Sequence, residues 1–128
     1  MPNVFISHRL SDNVEAERLA NDIKNARHNV WLDLWEIGIG DLITERMNTG
    51  LEGASYLVLC YSDAGVMSNW IKQEWLTTLA RQLEGEEVKI LPVRLTGGKP
   101  PAILAGVKYA DFVKDWTKAL AELLLAIK

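Results

Sequence analysis

The apolar run Tyr56-Leu57-Val58-Leu59-Cys60, near the middle of the chain, decides the fold class. An unbroken apolar run of this length is typical of a strand that is buried on both faces, as in a parallel sheet covered by helices. Similar runs stand at Val4-Phe5-Ile6, at Val30-Trp31-Leu32 and from Val88 to Leu95. Between the first two of these, apolar residues recur at helical spacing over residues 16–23. The alternation predicts parallel strands joined by right-handed helical crossovers.

The complete prediction is a doubly wound α/β fold: a five-stranded parallel sheet with helices on both faces. Val107 to Ala110 is the predicted fifth strand. We expect the flavodoxin-like strand order 2-1-3-4-5. A loop with Gly38 and Gly40 is expected after the second strand. The first predicted helix begins at Ser11 or Asp12, and Asp12 with Glu15 has the spacing of a capping box. Asp41 is the predicted start of the second helix. The third is predicted from Ser68 or Asn69 to about Leu83, and the last from Asp115 to Ile127.

Length and composition restrict the class of protein. The chain has 128 residues, which predicts a single domain over residues 1–128. It is 48% apolar and 24% charged, as globular proteins are, and its formal net charge is −3. No basic stripe is present, which argues against nucleic acid and anionic membranes as partners. No apolar run approaches the ~18 residues of a membrane span, and no signal-peptide pattern precedes Val4, so we expect a cytoplasmic protein.

Cysteine and histidine are rare in the chain. Cys60 is the single cysteine, so an internal disulfide is impossible, and His8 and His28 are the two histidines. These residues show no metal-ligand spacing, and we expect no metal site. A catalytic thiol at Cys60 is disfavoured, because neither histidine is near it in sequence.

The predicted helix that begins near Trp70 carries an unusual pair of side chains. Its apolar stripe, which includes Ile71, Trp75 and Leu79, faces the core. Trp70 and Glu74 lie one turn apart on the opposite face, at the carboxyl edge of the sheet, where ligands of doubly wound sheets bind. An aromatic ring beside a carboxylate suits a sugar that carries a cationic aromatic leaving group. A ring packed under a loop beside a solvated glutamate is the alternative explanation.

Four blocks of sequence, in this order, resemble bacterial Toll/interleukin-1 receptor (TIR) domains over about Asn3 to Ile127. Val4 to His8 resembles the first-strand box of that family. Val30 to Ile37, followed by Gly40-Asp41, resembles its second strand and BB loop. Tyr56 to Ser62 resembles its third strand and the serine that follows it. Ser68 to Glu74 resembles the start of its Trp-x-x-x-Glu helix.

The resemblance implies a five-stranded parallel sheet and cleavage of NAD+ at the nicotinamide–ribose bond. The products would be nicotinamide and ADP-ribose or a cyclised form, and the sequence leaves hydrolysis and cyclisation both open. NAD+ is then the substrate, and no cofactor is expected. By position, Glu74 corresponds to the family's catalytic glutamate. The substrate-binding positions that the resemblance implies are His8 and Arg9 in the first loop, Asp33 and Leu42 at the BB loop, and Trp70.

The resemblance also implies self-association. Trp35, Ile37 and Ile39 correspond to the BB-loop tip, which in the family packs against a neighbouring subunit, and we expect these side chains to be exposed. The partners would be other TIR domains in a homo-oligomer or filament, with a separate or fused sensor, in bacterial signalling or defence. Two alternatives remain: a TIR–TIR adaptor module without catalysis, and a nucleoside-processing transferase of similar architecture.

Overall fold

The structure of the chain is a computed structural model. It describes residues 3–8, 12–42, 45–46, 49–50, 53–61, 89–98 and 106–127, with the backbone alone at 33, 34 and 61. The strands are β1 (Asn3–Ser7), β2 (Asn29–Leu32), β3 (Tyr56–Tyr61), β4 (Lys89–Arg94) and β5 (Ala110–Asp111). They form a five-stranded sheet in the order β2-β1-β3-β4-β5, and every pairing is parallel. The predicted fold class and strand order are confirmed.

The helices among the described residues are α1 (Asn13–Asn25), the single turn α2 (Asp33–Glu36) and α3 (Trp116–Ala126). Residues 45–46 and 49–50 are also helical, as predicted for the segment after Asp41. The helix predicted from Ser68 or Asn69 to about Leu83 lies outside the described residues. None of the helices in the described parts of the chain has the length and apolar character needed to cross a bilayer.

One face of the sheet packs against α1 and α3. Because side chains alternate along a strand, every second residue of each strand turns to this face. The buried cluster joins them to Leu19 and Ile23 of α1 and to Leu123 of α3. Trp116 of α3 ties the two helices together: its indole N–H donates to Asp22 Oδ2 at 2.9 Å, and the Arg18 guanidinium lies 4.0 Å from the ring centroid.

The other face of the sheet is buried as well. Phe5, Leu57 and Leu59 are completely buried, although they point away from α1. The Trp31 ring stacks on Phe5, with the centroids 4.5 Å apart and the planes 7° from parallel. Helical Gly50 lies directly against this indole. Helical segments therefore cover both faces, as predicted.

Two of the predicted boundaries are wrong. The fifth strand was expected at Val107 to Ala110, but Val107 is exposed, and the pairing with β4 involves Ala110 and Asp111. Asp111 lies opposite Arg94, and their side chains form an ion pair at 3.3 Å, which fixes this register. The segment directly after β2, expected as a loop, begins with the helical turn α2.

The predicted capping box at the start of α1 is also absent. Asp12 occupies the N-cap position, but its side chain makes no capping hydrogen bond, and its backbone (φ −105°, ψ 18°) lacks the extended conformation usual there. The carboxylate instead accepts a hydrogen bond from Thr96 Oγ1 at 3.1 Å. The predicted start of the last helix is correct, because the Asp115 side chain accepts from Lys118 N at 3.1 Å.

Candidate active site

The strand order places a ligand-binding crevice between the carboxyl ends of β1 and β3. From β1 the sheet extends to β2 on one side and to β3 on the other, so the order reverses at this point. Ser7 is the last residue of β1 and pairs with Leu59 of β3. His8 follows it at this edge, and Asp33 follows the neighbouring strand β2. Two of the predicted substrate-binding positions therefore share the carboxyl edge of the sheet.

His8 is anchored at this edge by the first turn of α1. The side chain is buried, with 5% of its surface exposed, and Nε2 lies 2.8 Å from Asn13 Oδ1. This contact fixes the ring and the path of the chain as it leaves β1. Contact between His8 and a nucleotide stays a prediction.

A second buried contact joins α1 to the loop after β4. The Asp12 carboxylate, 6% exposed, accepts from Thr96, and glycines follow at 97 (φ 143°) and 98 (φ 81°) in conformations that L side chains rarely adopt. Asp12 and Thr96 are 84 residues apart in sequence, and neither carries a local signal for this pairing. The sequence analysis therefore missed it.

Cys60 is an inert residue beneath this edge. Complete burial, reinforced by the nearby charge of Asp12, raises the pKa of its thiol far above the ordinary value. The thiol therefore stays protonated and is neither a nucleophile nor a metal ligand at neutral pH. Among the described residues, no group of three or more His, Cys, Asp or Glu side chains is placed to hold a metal ion.

The predicted loop tip differs in part from expectation. Trp35 was expected to be exposed but is half-buried against α1, with its indole nitrogen 3.5 Å from Glu17 Oε1 and the Lys24 ammonium 5.4 Å from the ring centroid. The helical turn α2 directs it there. Ile37 is half-buried, whereas Ile39 is fully exposed and Leu42 is 70% exposed. An interface role for these residues stays a prediction.

Arg46 holds this loop in shape. Its Nε and Nη2 donate to the backbone carbonyl of Glu36 at 3.1 and 2.8 Å, and the guanidinium lies 3.8 Å from the carboxylates of Glu36 and Asp41. Asp41 in turn accepts from Gly38 N at 2.9 Å, and its own N–H donates to Gly38 O. The tip with Ile39 is therefore fixed at both ends. Sequence analysis did not single out Arg46, because an arginine on a helix is usually solvated.

The remaining predicted site residues are not placed by the structure. Glu74, Trp70 and Arg9 lie outside the described residues, and Asp33 is described by its backbone alone. The structure thus brings His8 and Asp33 to one edge and leaves Leu42 on the exposed part of the loop.

Comparison with known proteins identifies the family of this chain. A sequence model described as "TIR domain" matches residues 4–124. The chain belongs to the TIR domain family. The fold agrees, since the TIR domain of the Toll-related receptor TRR-2 from Hydra magnipapillata superposes with a TM-score of 0.73 over 98% of this chain and 97% of that one. At 17% identity that likeness concerns the fold alone.

Three curated bacterial proteins are similar in sequence to this TIR domain. The 2' cyclic ADP-D-ribose synthase BtTIR of Bacteroides thetaiotaomicron is 36% identical over 90 residues, which is 70% of this chain and 31% of that protein. The 2' cyclic ADP-D-ribose synthase AbTIR of Acinetobacter baumannii is 28% identical over 92 residues, 71% of this chain and 34% of that protein. The NAD(+) hydrolase TirS of Staphylococcus aureus is 29% identical over 92 residues, 71% of this chain and 33% of that protein. This chain spans about a third of the length of each.

Proposed function

We propose that this TIR domain cleaves NAD+ at the nicotinamide–ribose bond and releases nicotinamide with ADP-ribose or a cyclic isomer. The observation that carries the proposal is the activity for which the three similar bacterial proteins are named. Two are named as 2' cyclic ADP-D-ribose synthases and one as an NAD+ hydrolase, and each aligns over about 70% of this chain. NAD+ is the substrate in this proposal, and neither a metal nor a further cofactor takes part.

Glu74 is the proposed catalytic residue. When the bond between the ribose carbon and the nicotinamide nitrogen breaks, the electron pair leaves with nicotinamide and positive charge develops on the ribose. A carboxylate that binds the ribose hydroxyls stabilises this charge, and Trp70 packs the site. Water, or a nucleophile within the substrate, then adds to the ribose carbon and loses its proton. His8, Arg9, Asp33 and Leu42 are the proposed substrate-binding residues.

We propose that self-association accompanies this activity, and a non-catalytic assembly module is the second candidate function. The observation that favours assembly is the loop tip, because Arg46 fixes it while Ile39 is fully exposed. At the opposite edge of the sheet, a cleft of about 430 Å³ is lined by exposed Val107, Tyr109 and Leu125. A tip at one edge and an apolar cleft at the other suit head-to-tail contacts, which form closed rings when the rotation between copies closes and open filaments when it does not.

We further propose a role in bacterial signalling or defence, in the cytoplasm, with a sensor on the same chain or on a partner. The bacterial origin of the three relatives supports a role in bacterial signalling or defence. The free, buried thiol of Cys60 is compatible with the reducing cytoplasm.

The activity is tested by chromatography of NAD+ incubated with the protein at high concentration, with and without a crowding agent. We expect nicotinamide to appear in equal amount to ADP-ribose or its cyclic isomer, and the second product distinguishes hydrolase from cyclase. If the folded protein assembles but leaves NAD+ intact, the enzyme proposal fails and the assembly module takes its place.

Assembly is tested with Ile39→Asp, which puts a charge on the tip. Light scattering should show loss of self-association in this variant. Val14→Asp, at another exposed apolar position, on α1 (Val14 is 78% exposed), is the control and should assemble normally. Unchanged assembly of Ile39→Asp would contradict a role for the tip.

A further inference from the structure

A buried carboxylate without a counter-ion lies at the carboxyl edge of the sheet. Asp12 directly precedes α1, and its side chain is buried. Oδ1 accepts from Thr96 at 3.1 Å, whereas Oδ2 is buried and has no hydrogen-bond partner among the described residues. Asp12 also takes part in none of the ion pairs that these residues form. Burial of a charge in such surroundings is costly, which argues against a role of this carboxylate in stability.

The start of α1 offsets only part of this cost. The N-terminus of a helix favours a negative charge, and it does so most effectively when its free N–H groups donate to the carboxylate. The Asp12 side chain accepts no such hydrogen bond. The nearby ring of His8 does not pair with it either, since His8 Nε2 lies against Asn13 Oδ1. The negative charge of Asp12 therefore remains largely uncompensated within the described part of the protein.

The contacts of Asp12 place its charge beside the ligand-binding crevice. Asp12 belongs to the connection that leaves β1, and Thr96 follows the last residue of β4 by two positions. Cys60, whose thiol pKa the charge of Asp12 helps to raise, lies next to the end of β3. The carboxylate therefore lies over the carboxyl ends of the strands and borders the crevice between β1 and β3. In surroundings of low dielectric constant, its charge acts on a ligand bound there.

We propose that Asp12 is a specificity-determining residue, which makes the crevice selective for the positively charged nicotinamide ring of NAD+. This inference rests on the cleavage of NAD+ proposed above. The pyridinium ring of NAD+ is a cation, whereas the dihydropyridine ring of NADH has nearly the same shape and no charge. A buried carboxylate whose charge is not balanced by the described residues attracts the charged ring and gives no such preference to the neutral one.

The test compares the binding of two ligands that resist cleavage. Carba-NAD+ has a methylene group in place of the ring oxygen of the nicotinamide ribose, so no oxocarbenium ion forms, and its reduced form carries the neutral ring. Calorimetry at high protein concentration measures both dissociation constants, and their ratio is the preference for the charged ring. Asp12→Asn keeps an acceptor for Thr96 but removes the charge, and should lower this preference about three- to tenfold.

Two control variants separate the charge of Asp12 from its packing. Thr96→Val removes the hydrogen bond but keeps the charge, so the preference should stay within about twofold of the wild-type value. Glu122→Gln removes an exposed carboxylate on α3 and should leave the preference unchanged. Because the buried charge of Asp12 has no counter-ion among the described residues, Asp12→Asn should also fold with a Tm no more than about 5 °C below that of the wild type.

Several results would overturn this proposal. They are an equal preference in the wild type and Asp12→Asn, an equal fall in Thr96→Val, and failure of the wild type to bind carba-NAD+. A variant Asp12→Asn that does not fold would also overturn it, since the carboxylate would then serve the fold. Nicotinamide release judges the proposed activity separately. A charge-dependent preference in a protein that leaves NAD+ intact refutes the activity alone, and cleavage with an unchanged preference in Asp12→Asn refutes this inference alone.

Discussion

We predict that the substitution Gly50→Ala destabilises the folded protein, although residue 50 is helical. In an ordinary helix the change from glycine to alanine stabilises by about 1 kcal/mol, because glycine loses more backbone freedom on folding. Here a Cβ on residue 50 would lie 2.6 Å from the Trp31 indole, whereas ordinary van der Waals contact begins at 3.4 Å. The ring cannot retreat freely, since it is stacked on a completely buried Phe5.

The cost of overpacking and the gain in helix propensity together decide whether Gly50→Ala raises or lowers the free energy of unfolding. Overpacking costs about 1–3 kcal/mol. Gly50 and Trp31 are both half-buried, but the stacking of the Trp31 ring on completely buried Phe5 resists its displacement, which places the cost in the upper half of that range. After the gain in helix propensity is subtracted, Gly50→Ala should lose about 1–2 kcal/mol in the free energy of unfolding, or about 3–10 °C in Tm. Chemical denaturation monitored by circular dichroism measures this loss.

Matched controls separate the contact from a general effect of alanine. An added Cβ meets nothing within 4 Å at Gly106, and at Gly53 its nearest neighbours are at 3.9 Å, so neither substitution should clash. A double-mutant cycle with Trp31→Leu should remove most of the cost of Gly50→Ala, because the ring is gone. If Gly50→Ala is as stable as the wild type, or costs the same with Leu at position 31, the packing of this face is not as described.

Three further predictions concern other contacts. Trp116→Phe keeps an aromatic ring but loses the indole N–H that donates to Asp22, so it should cost about 1 kcal/mol more in the wild-type protein than in an Asp22→Ala background; an equal loss in the two backgrounds would contradict the bond. The raised pKa of Cys60 removes the thiolate at pH values where an ordinary thiol, with a pKa of about 8.5, ionises, so native protein should resist iodoacetamide at pH 8 and unfolded protein should react; rapid native alkylation would refute its burial. Arg46→Met should expose the amides of Gly38 and Asp41 to hydrogen exchange while costing about 1 kcal/mol or less overall, because the guanidinium is 41% exposed; unchanged protection would show that Arg46 does not hold the loop.

The sheet could be predicted because its strands are short, continuous apolar runs. Leu57 to Cys60 and Val4 to Ile6 are buried on whichever face they point to, so their pattern is independent of neighbours. The strand order followed from a general preference of doubly wound folds. Val107 satisfied the same local pattern but is exposed, because the register of β5 depends on the long-range pair of Arg94 and Asp111.

The candidate site was less predictable because its contacts are long-range or run through the backbone. Asp12 has the spacing of a capping residue, yet its carboxylate accepts a hydrogen bond from Thr96, which is 84 residues away in sequence. Trp35 reads as part of an exposed loop, but one helical turn directs it to α1. Arg46 donates to the backbone carbonyl of Glu36, a group that every residue carries, so no pattern of side chains in the sequence predicts this contact.

The proposed activity depends on a single carboxylate, and its removal is the most direct test. Glu74→Gln should lower nicotinamide release from NAD+ by about 10²- to 10³-fold under conditions where the wild-type protein assembles, without changing its Tm. Glu45→Gln removes a different, exposed carboxylate and should release nicotinamide at the wild-type rate. Loss in the first variant alone is the result that we predict; release by Glu74→Gln at the wild-type rate would contradict the proposed role of Glu74.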